Sequence, residues 1–518
     1  MKKHFLILIC LFQIWILSAQ VPNFTKIEVT TNISLLRDIL PVDMDGDGDM
    51  DILTGRGSGA SWLKNMDGLG SFNATPVPVF STPGIGLNSL EAADLDGDGD
   101  LDVIIATGTT NSNSQIAWFE NLDGVGQTFS TMITLTTNGD EFRCIATGDY
   151  DGDDDIDIAF GSYETDAVSW MQNTDGQGSF AAPVTFYTSA NGVRFLEVTD
   201  ADNDGDLDLF SSSTYLNPSG QFSQYKNTDG LGTFVKQNVN SLDGNNAMGI
   251  ALGDIDGDGD QDFIGSIYNS DAIFRWLNDG SGGFTSKMVV TTGFDGPITV
   301  RLADIENDGD LDLFVAAETG NVIGFMQNNG NGVFSNLTVI NNSLSFSNAF
   351  FNNSRLIGVA DMNGDGLTDI VAISPGQLSV VWFKSVAPLA IVNIESMPIS
   401  CFGLSDGTIT VNTNGGGTPP YSFQLDNGVS NSTGIFSGLA EGSYVISVQD
   451  AAGLSVTDSV SIDQPSQIIT ALNVSICYGE NYQFGDTTLS TSGNYLNIFP
   501  ANSGCDSTVM LQLTVLQQ

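Results

Sequence analysis

One acidic pattern recurs seven times along this chain and constrains its fold more than any other feature. Its first copy, DMDGDGDMD, begins at Asp43 and places an aspartate at every second position. The start positions of the copies lie 50 to 57 residues apart, so the pattern predicts one supersecondary unit repeated seven times. The other copies are DLDGDGDLD from Asp94, DYDGDDDID from Asp149, DADNDGDLD from Asp200, DIDGDGDQD from Asp254, DIENDGDLD from Asp304 and DMNGDGLTD from Asp361.

Short apolar runs flank each acidic segment, such as RDILPV before the first copy and DILTG after it. They are rich in β-branched or aromatic residues and bounded by Gly or Ser, which predicts strands. A third run carries a recurrent aromatic residue, and most copies continue through a turn such as DGLGSF into a fourth strand. Four strands per repeat and no helical periodicity predict an all-β chain with a seven-bladed β-propeller over residues 20–386. We interpret the recurrent aromatics as packing between blades rather than as a sugar-stacking ring: Trp62, Trp118, Trp170, Tyr225, Trp276, Phe325 and Trp382.

The two ends of the repeat array predict how the ring closes. The seventh copy stops at VVWFKS without a fourth strand, whereas NFTKIEV precedes the first copy. A strand from Phe24 to Val29 is therefore expected to complete the last blade, because a ring closed in this way leaves no unpaired edge.

Loops with so many carboxylates need a counter-charge, since neighbouring carboxylates repel by about 1 kcal/mol per pair even in a water-like dielectric. Carboxylates at loop positions 1, 3, 5 and 9, a glycine at 6 and a backbone carbonyl at 7 form an all-oxygen cage that suits calcium. The loops are not EF-hands, because position 12, which would need a bidentate Glu, holds Thr54, Ile105, Phe160, Ser211, Gly265, Val315 and Ala372.

We therefore predict up to seven calcium ions. The predicted ligands are Asp43, Asp45, Asp47, Asp49 and Asp51; Asp94, Asp96, Asp98, Asp100 and Asp102; Asp149, Asp151, Asp153, Asp155 and Asp157; Asp200, Asp202, Asp204, Asp206 and Asp208; Asp254, Asp256, Asp258, Asp260 and Asp262; Asp304, Glu306, Asp308, Asp310 and Asp312; and Asp361, Asn363, Asp365, Leu367 and Asp369.

The charge balance narrows the choice of partners. The chain has 62 Asp and Glu residues against 15 Lys and Arg, a net charge of -47, and the seven acidic segments hold 34 of the acidic residues. With no basic cluster beyond the N-terminus, the sequence offers little for a phosphate backbone to bind, so nucleic acid is not an expected partner.

The N-terminus predicts export. Lys2 and Lys3 precede an apolar run from Phe5 to Leu17, which indicates a signal peptide over residues 1–19 with cleavage after Ala19. The alternative is a membrane anchor, but the run is shorter than the roughly 20 residues of a spanning helix, and no later segment qualifies as a transmembrane helix. The mature protein is thus expected to be secreted or attached to the cell surface, where calcium is abundant and disulfides persist.

The loops and their spacing resemble the FG-GAP or VCBS-type repeats, which include the calcium-binding blades of integrin α-chain propellers. The resemblance covers residues 21 to 386 and implies calcium in loops on one face of the ring. Two copies depart from the pattern. Asp154 replaces the turn glycine in the third loop, where Asp tolerates a left-handed backbone. The seventh loop has Asn363 and Leu367, so we expect it to bind calcium most weakly.

Beyond residue 388 the composition shifts to Ser, Thr, Gly and Asn. CFGLSDGTITVNTNGGGTPPYSFQLDNG and the following phrases resemble the SprB repeat of Bacteroidetes surface adhesins, which implies a small β-sandwich over 391–465. Residues 466–518 resemble another small β module of secreted Bacteroidetes proteins. Such proteins commonly end in a sorting domain for type IX secretion. None precedes Gln518, so the chain is expected to be a fragment or to leave by another route.

The cysteines after the signal peptide allow one predicted disulfide. Cys477 and Cys505 are the expected pair. Cys401 stands where the SprB resemblance implies a bonded cysteine, but Leu454 occupies its expected partner's position, which leaves its pairing open. Cys144 alternates with apolar residues and is interpreted as a small buried hydrophobe, the alternative being a reactive thiol.

The sequence favours a binding protein over an enzyme. His4, the only histidine, lies in the predicted signal peptide, which excludes Ser-His-Asp and Cys-His catalysis and His-ligated zinc from the mature chain. We therefore predict a non-enzymatic, calcium-binding adhesion or recognition protein whose ligand is an extracellular protein or glycan. The alternatives are a lectin or a carbohydrate-active enzyme using the propeller face opposite the calcium loops, or a propeller that serves only as a spacer. The enzyme would be a polysaccharide lyase, or a glycosidase with a carboxylate pair drawn from Glu91, Glu141, Glu164, Glu197 and Glu318.

Overall fold

The computed structural model describes residues 22–109, 112–214, 222–239, 246–284, 287–346, 355–500 and 505–517. The predicted signal peptide, residues 1–19, lies outside these ranges. The chain divides into two compact units, residues 1–385 and 386–518. The described residues contain no α-helix and only one short 3-10 turn, Tyr268–Ser270, so the all-β prediction is confirmed.

The first unit is built from β1 (Asn23–Thr31), β2 (Leu36–Val42), β3 (Asp51–Arg56), β4 (Gly59–Leu63), β5 (Val77–Ser81), β6 (Leu87–Ala93), β7 (Asp102–Thr109), β8 (Ser112–Phe119), β9 (Ile133–Thr136), β10 (Phe142–Gly148), β11 (Asp157–Ser162), β12 (Ala167–Met171), β13 (Val184–Tyr187), β14 (Val193–Thr199), β15 (Asp208–Ser213), β16 (Phe222–Asn227), β17 (Phe234–Asn238), β18 (Ala247–Gly253), β19 (Asp262–Ile267), β20 (Ala272–Trp276), β21 (Met288–Thr291), β22 (Pro297–Ala303), β23 (Asp312–Ala317), β24 (Val322–Met326), β25 (Thr338–Asn341), β26 (Ile357–Ala360), β27 (Asp369–Ser374) and β28 (Ser379–Val386).

These strands form seven four-stranded sheets, as predicted. Blades 1 to 6 are β2–β5, β6–β9, β10–β13, β14–β17, β18–β21 and β22–β25, each a meander of neighbouring antiparallel strands. The first strands of successive blades contact one another around the ring, and β26 contacts β2. The first strand of each blade therefore lines the propeller axis.

Both ends of the repeat array contribute to blade 7. Its strand order is β1-β28-β27-β26, so the N-terminal strand supplies the missing fourth strand. The predicted segment Phe24 to Val29 lies within β1. Because blade 7 contains strands from both ends of the repeat array, the ring can open there only if β1 separates from β28.

Aromatic residues of the third strands hold neighbouring blades together. The indole nitrogen of Trp62 donates to the carbonyl of Gly126 in blade 2 at 2.8 Å. A methyl group added at Gly178 would come within 2.6 Å of the Trp118 ring. The same close approach joins Trp170 to blade 4 and Trp382 to blade 1. These tryptophans are packed between blades, which agrees with the interpretation given above.

The second unit contains β29 (Ile391–Met397), β30 (Gly407–Thr413), β31 (Ser422–Leu425), β32 (Ile435–Leu439), β33 (Gly442–Gln449), β34 (Ser455–Ile462), β35 (Ile469–Cys477), β36 (Tyr482–Phe484), β37 (Thr487–Leu489), β38 (Gly493–Phe499) and β39 (Ser507–Leu516). The sheets β29-β30-β32 and β31-β33-β34 enclose one apolar core. The sheet β35-β39-β38 and the hairpin β36-β37 pack around a second apolar core.

The disulfide prediction was wrong, because the bond joins Cys401 to Cys505 rather than Cys477 to Cys505. The reason is the parallel pairing of β35 with β39, in which Ile469 aligns with Thr508 and Cys477 with Leu516. Cys505 precedes β39, whereas Cys477 lies at the far end of the strand pair, roughly 25 Å away at the usual rise per residue. The Cα atoms of Cys401 and Cys505 are 5.3 Å apart, a normal disulfide separation.

Candidate metal centre

The seven acidic loops each connect the first strand of a blade to the second. The carboxylate at position 1 shapes the turn, because Asp43 accepts the backbone N–H groups of Asp47 at 3.2 Å and Gly48 at 2.8 Å. The N–H group at position 6 makes the same bond, 2.7 to 3.0 Å long, in every loop. The loops are therefore one local structure built seven times.

The buried side chain at position 3 bears on whether a cation fits these loops. In six loops one carboxylate oxygen at this position is buried and accepts no hydrogen bond; these residues are Asp45, Asp96, Asp151, Asp202, Asp256 and Glu306. Burying an unpaired anionic oxygen is costly unless a cation or hydrogen bond compensates it. A donor set of carboxylate and carbonyl oxygens is what calcium prefers.

The carboxylate at position 9 anchors the loop to its own blade. Asp51 accepts the N–H of Asn65 at 2.7 Å and that of Met44 at 3.1 Å. Burial raises the pKa of this carboxyl in every loop, to about 7 in Asp51, Asp102 and Asp157, about 6 in Asp208, Asp262 and Asp369, and about 8 in Asp312. Because burial disfavours the ionised form, these positions hold negative charge at neutral pH only at a free-energy cost that a cation would offset.

The structure brings only some of the predicted ligands together. In five loops, three carboxylates have oxygens within 4.8 Å of one another: Asp43, Asp45 and Asp51; Asp94, Asp96 and Asp102; Asp149, Asp151 and Asp157; Asp200, Asp202 and Asp204; and Asp254, Asp256 and Asp262. The position 7 side chain lies elsewhere, against a glycine of the next turn, as between Asp49 and Gly68. This arrangement agrees with position 7 acting through its backbone carbonyl.

The seventh loop partly satisfies itself without a cation. The Asn363 amide donates to Asp369 at 3.3 Å, and its oxygen accepts the N–H of Asp365 at 3.0 Å. The third loop keeps its shape, because Asp154 adopts a φ of 69° and its N–H still reaches Asp149 at 2.9 Å. The two departures from the sequence pattern thus have different structural consequences.

The sequence analysis missed an asparagine that lies at the end of the third strand or within two residues after it and that hydrogen-bonds to the neighbouring blade. The Asn173 amide donates at 2.8 Å to the carbonyl of Leu95, which belongs to the loop of blade 2. We call this residue the clamp asparagine; the same bond joins Asn65 to Met362, Asn227 to Tyr150, Asn278 to Ala201 and Asn328 to Ile255. The signal was present in the recurrent ending of phrases such as SWLKN, AWFEN and SWMQN.

Charged side chains on the axis were also missed. Each first strand of blades 1 to 6 carries a register shift near its start. Arg37, Arg143 and Arg194 stand at this bulge, and Arg355 has the same spacing, six residues before its loop. Bulges re-aim side chains. Aligning the repeats on their loops would have revealed these arginines, which are scattered in the linear sequence.

Arginines near the axis lie beside three of the five glutamates considered above as catalytic candidates. Arg355 is 2.9 Å from Asp38 and 2.7 Å from Glu91, and Arg301 is 3.4 Å from Glu197. Glu141 contacts Arg143. All of these groups except Glu141 line a cavity of about 20 Å³, which has room for about one water molecule. Burial raises the pKa of Asp38 to about 6 even though Arg355 opposes the shift.

The fold and its acidic loops define a β-propeller whose blades each carry one carboxylate-rich turn. Models of known families match the same regions. FG-GAP-like repeats are found over residues 43–105, 94–160, 149–211, 254–315 and 306–372, and a SprB repeat over 393–430. The former cover more than half of the sequence, and the chain belongs to the FG-GAP-like repeat family. Both kinds of repeat indicate an extracellular or cell-surface protein of the adhesion type.

Solved structures with similar folds have low sequence identity. A lectin from Agrocybe aegerita that recognises non-reducing terminal N-acetylglucosamine is 19% identical, with 68% of this chain and 86% of the lectin covered and a TM-score of 0.46. The exotype rhamnogalacturonan lyase YesX is 13% identical, with 70% and 75% covered and a TM-score of 0.42. Both TM-scores are below 0.5, so the fold assignment rests on the strand pairing of the chain itself.

The comparison with curated protein sequences gives no match. Among the described residues, no helix has the length and apolar character needed to cross a membrane.

Proposed function

We propose that this protein is a secreted, non-enzymatic adhesion or recognition protein whose propeller is stabilised by up to seven calcium ions. The observation that carries the proposal is the buried position 3 oxygen that accepts no hydrogen bond in six of the loops. One such oxygen could reflect a local accident of packing. Six at equivalent positions in repeated loops indicate a common missing partner of positive charge.

Each residue of the loop has a role in this proposal. The carboxylates at positions 1, 3, 5 and 9 and the carbonyl at position 7 would supply oxygens to the ion, which neutralises their charge. Position 1 also fixes the turn through its bonds to backbone N–H groups. Position 9 ties the loop to the clamp asparagine, which reaches the preceding blade. Calcium bound in one loop would therefore support the interface with a neighbouring blade.

Several features of the axis support a binding role rather than catalysis. Glu91, Glu141 and Glu197 each form an ion pair with an arginine. A cavity of about 20 Å³ is too small for a sugar ring. We therefore assign recognition to the propeller surface and to the SprB module, with an extracellular protein or glycan as partner, and we propose attachment to the bacterial cell surface.

A second candidate function is recognition of an acidic ligand at the face opposite the calcium loops. It is favoured by the arginines that stand at the bulges, at the ends of the first strands away from the loops. Burial, together with repulsion from Arg143, lowers the pKa of Arg194 to about 10 and also lowers that of Arg37. An anion bound near them would offset this repulsion.

The test is binding of the mature chain to neutral, uronate-containing and sulfated polysaccharides and to a fibrous matrix protein, in calcium and in chelator. We expect calcium-dependent binding that leaves the polymer intact. A preference for uronate-containing or sulfated polymers would support the second candidate. New reducing ends or unsaturated uronate ends would contradict the non-enzymatic assignment. Absence of binding by a calcium-loaded protein would contradict recognition and favour a spacer.

A further inference from the structure

The residue before the asparagine that follows the third strand, or before Ser385 in blade 7, lies beside the acidic loop of its own blade, and its charge differs between blades. We call it the loop-facing residue. In blades 1 to 7 it is Lys64, Glu120, Gln172, Lys226, Leu277, Gln327 and Lys384. Five of the seven acidic loops carry the same five carboxylates, so among these five blades the loop-facing residue is the main difference in charge beside the candidate cage.

In blade 1 the loop-facing residue is a lysine that contacts two predicted calcium ligands. The Lys64 ammonium contacts a carboxylate oxygen of Asp45 and lies 2.8 Å from one of Asp47. The Asp45 side chain is only 5% exposed. The second oxygen of Asp45 is the buried one that accepts no hydrogen bond. The ammonium and a calcium ion would therefore share one carboxylate.

Blade 4 repeats this arrangement, and blade 7 has a weaker form of it. The Lys226 ammonium contacts Asp202 at position 3 and is 3.6 Å from Asp204 at position 5. Lys384 is 3.6 Å from Asp365 in the seventh loop. The same strand position thus places a positive charge beside three of the seven loops.

In the other four blades the loop-facing residue is not a cation. The Gln172 amide is 3.4 Å from Asp153, and the Gln327 amide donates to Glu306. Leu277 brings no charge. Glu120 places a negative charge at this position.

We propose that the loop-facing residue grades the calcium affinity of the blades. In blades 1, 4 and 7 its lysine is a built-in counter-ion that competes with calcium. The cages of blades 2, 3, 5 and 6 are the tighter sites, and those of blades 1 and 4 stay partly neutralised when calcium is scarce. A unit charge about 6 Å from a divalent cation in a water-like dielectric changes affinity by about tenfold. This inference rests on the proposed calcium binding.

The test replaces Lys64 and Lys226, the two lysines that contact position 3, with the glutamine found naturally in blade 3. Lys64→Gln, Lys226→Gln and the double variant are compared with wild type by calorimetric calcium titration of the mature chain, together with thermal unfolding in chelator. We expect each substitution to tighten one weak site about tenfold and to lower the melting temperature in chelator. Lys26→Gln is the matched control, since Lys26 on β1 pairs only weakly with Glu28, at 3.8 Å.

A reverse substitution tests the same idea in the opposite direction. Gln172→Lys should weaken one tight site about tenfold and leave the other sites unchanged. This variant also keeps the proposal testable if Lys64→Gln or Lys226→Gln fails to fold. If wild type binds calcium but all these isotherms overlay that of Lys26→Gln, the grading is overturned while the proposed function stands. If wild type binds no calcium, the proposed function itself fails, and the grading with it.

Discussion

At the scale of single residues, the clamp asparagine shows how one side chain can link a loop to a neighbouring blade. In blade 3, the Asn173 N–H donates to Asp157 at 2.7 Å, while its amide reaches Leu95 at 2.8 Å and Ile156 at 3.4 Å. All of these groups lie at or near a blade interface. Removing the amide leaves a carbonyl there without its partner.

We predict that Asn173→Ala lowers the free energy of unfolding of the propeller by about 2 kcal/mol, since a buried carbonyl loses its donor. The measurement is urea unfolding in saturating calcium. Asn393→Ala, on an exposed strand of the second unit, is the control and should change stability by less than about 0.5 kcal/mol. Equal stability of Asn173→Ala and wild type would show that the clamp contributes nothing.

Asp38 gives a residue-scale prediction of pH dependence. Burial raises its pKa from 3.8 to about 6, with Glu91 adding to the shift and Arg355 opposing it, as do the N–H groups of Leu90 and Ile39. A carboxyl with a raised pKa contributes stability that is complete below about 4 and is lost as pH rises through about 6. At higher pH, Arg355 compensates the charge.

We predict that Arg355→Met destabilises the propeller by about 3 kcal/mol at pH 8, because it leaves Asp38 buried and unpaired. The loss should be clearly smaller at pH 5, where Asp38 can be protonated. Urea unfolding at the two pH values in the presence of calcium measures this difference, with Arg56→Met on β3 as a control for removing an arginine elsewhere in the propeller. The same loss at both pH values would contradict the role assigned to Asp38.

At the scale of elements, blade interfaces depend on turns that approach a tryptophan too closely for any side chain. Gly232 has a φ of 76°, and a Cβ atom there would lie 2.0 Å from the Trp170 ring. Gly84 has the same φ but nothing within 4 Å of its Cβ position. Alanine variants at Gly232 and Gly84 therefore suffer the same backbone strain, but only the variant at Gly232 adds a clash across the blade interface.

We predict that Gly232→Ala lowers the free energy of unfolding by about 3 kcal/mol, through strain plus overpacking. Gly84→Ala should cost only about 1 kcal/mol, from the left-handed backbone alone. Chemical denaturation of both variants in calcium gives the comparison. Similar losses in the two variants would mean that the interface adjusts to the extra methyl group.

The elements also show what the sequence could and could not predict. The loops, the blades and the closing strand follow from local pattern and spacing, which the linear sequence displays directly. The clamp bond between Asn173 and Leu95 spans 78 residues, and its meaning appears only once blades are adjacent. The lysines facing the loops were missed because they lie across a hairpin from their carboxylates. The Cys477 error arose because the parallel order of β35 and β39 cannot be inferred from cysteine spacing.

At the scale of the whole molecule, the cysteines provide a check on both units. Cys144 is buried in blade 3, and burial raises its pKa well above the usual range, whereas Cys477 is exposed. We predict one fast-reacting thiol in the folded mature chain and a second only after unfolding, by thiol titration without reductant. Peptide mapping should recover Cys401 linked to Cys505. Recovery of a Cys477–Cys505 peptide would contradict the arrangement of the second unit.

The central claim, that calcium neutralises the acidic loops, also belongs to the whole molecule. At ten times its dissociation constant, each site adds about 1.4 kcal/mol to stability, so several sites together should shift unfolding strongly. The most direct measurement is thermal unfolding of the mature protein in calcium and in excess chelator, with metal analysis of the same sample. We predict several calcium ions per chain and a large calcium-dependent rise in melting temperature. No bound metal and no shift would contradict the account.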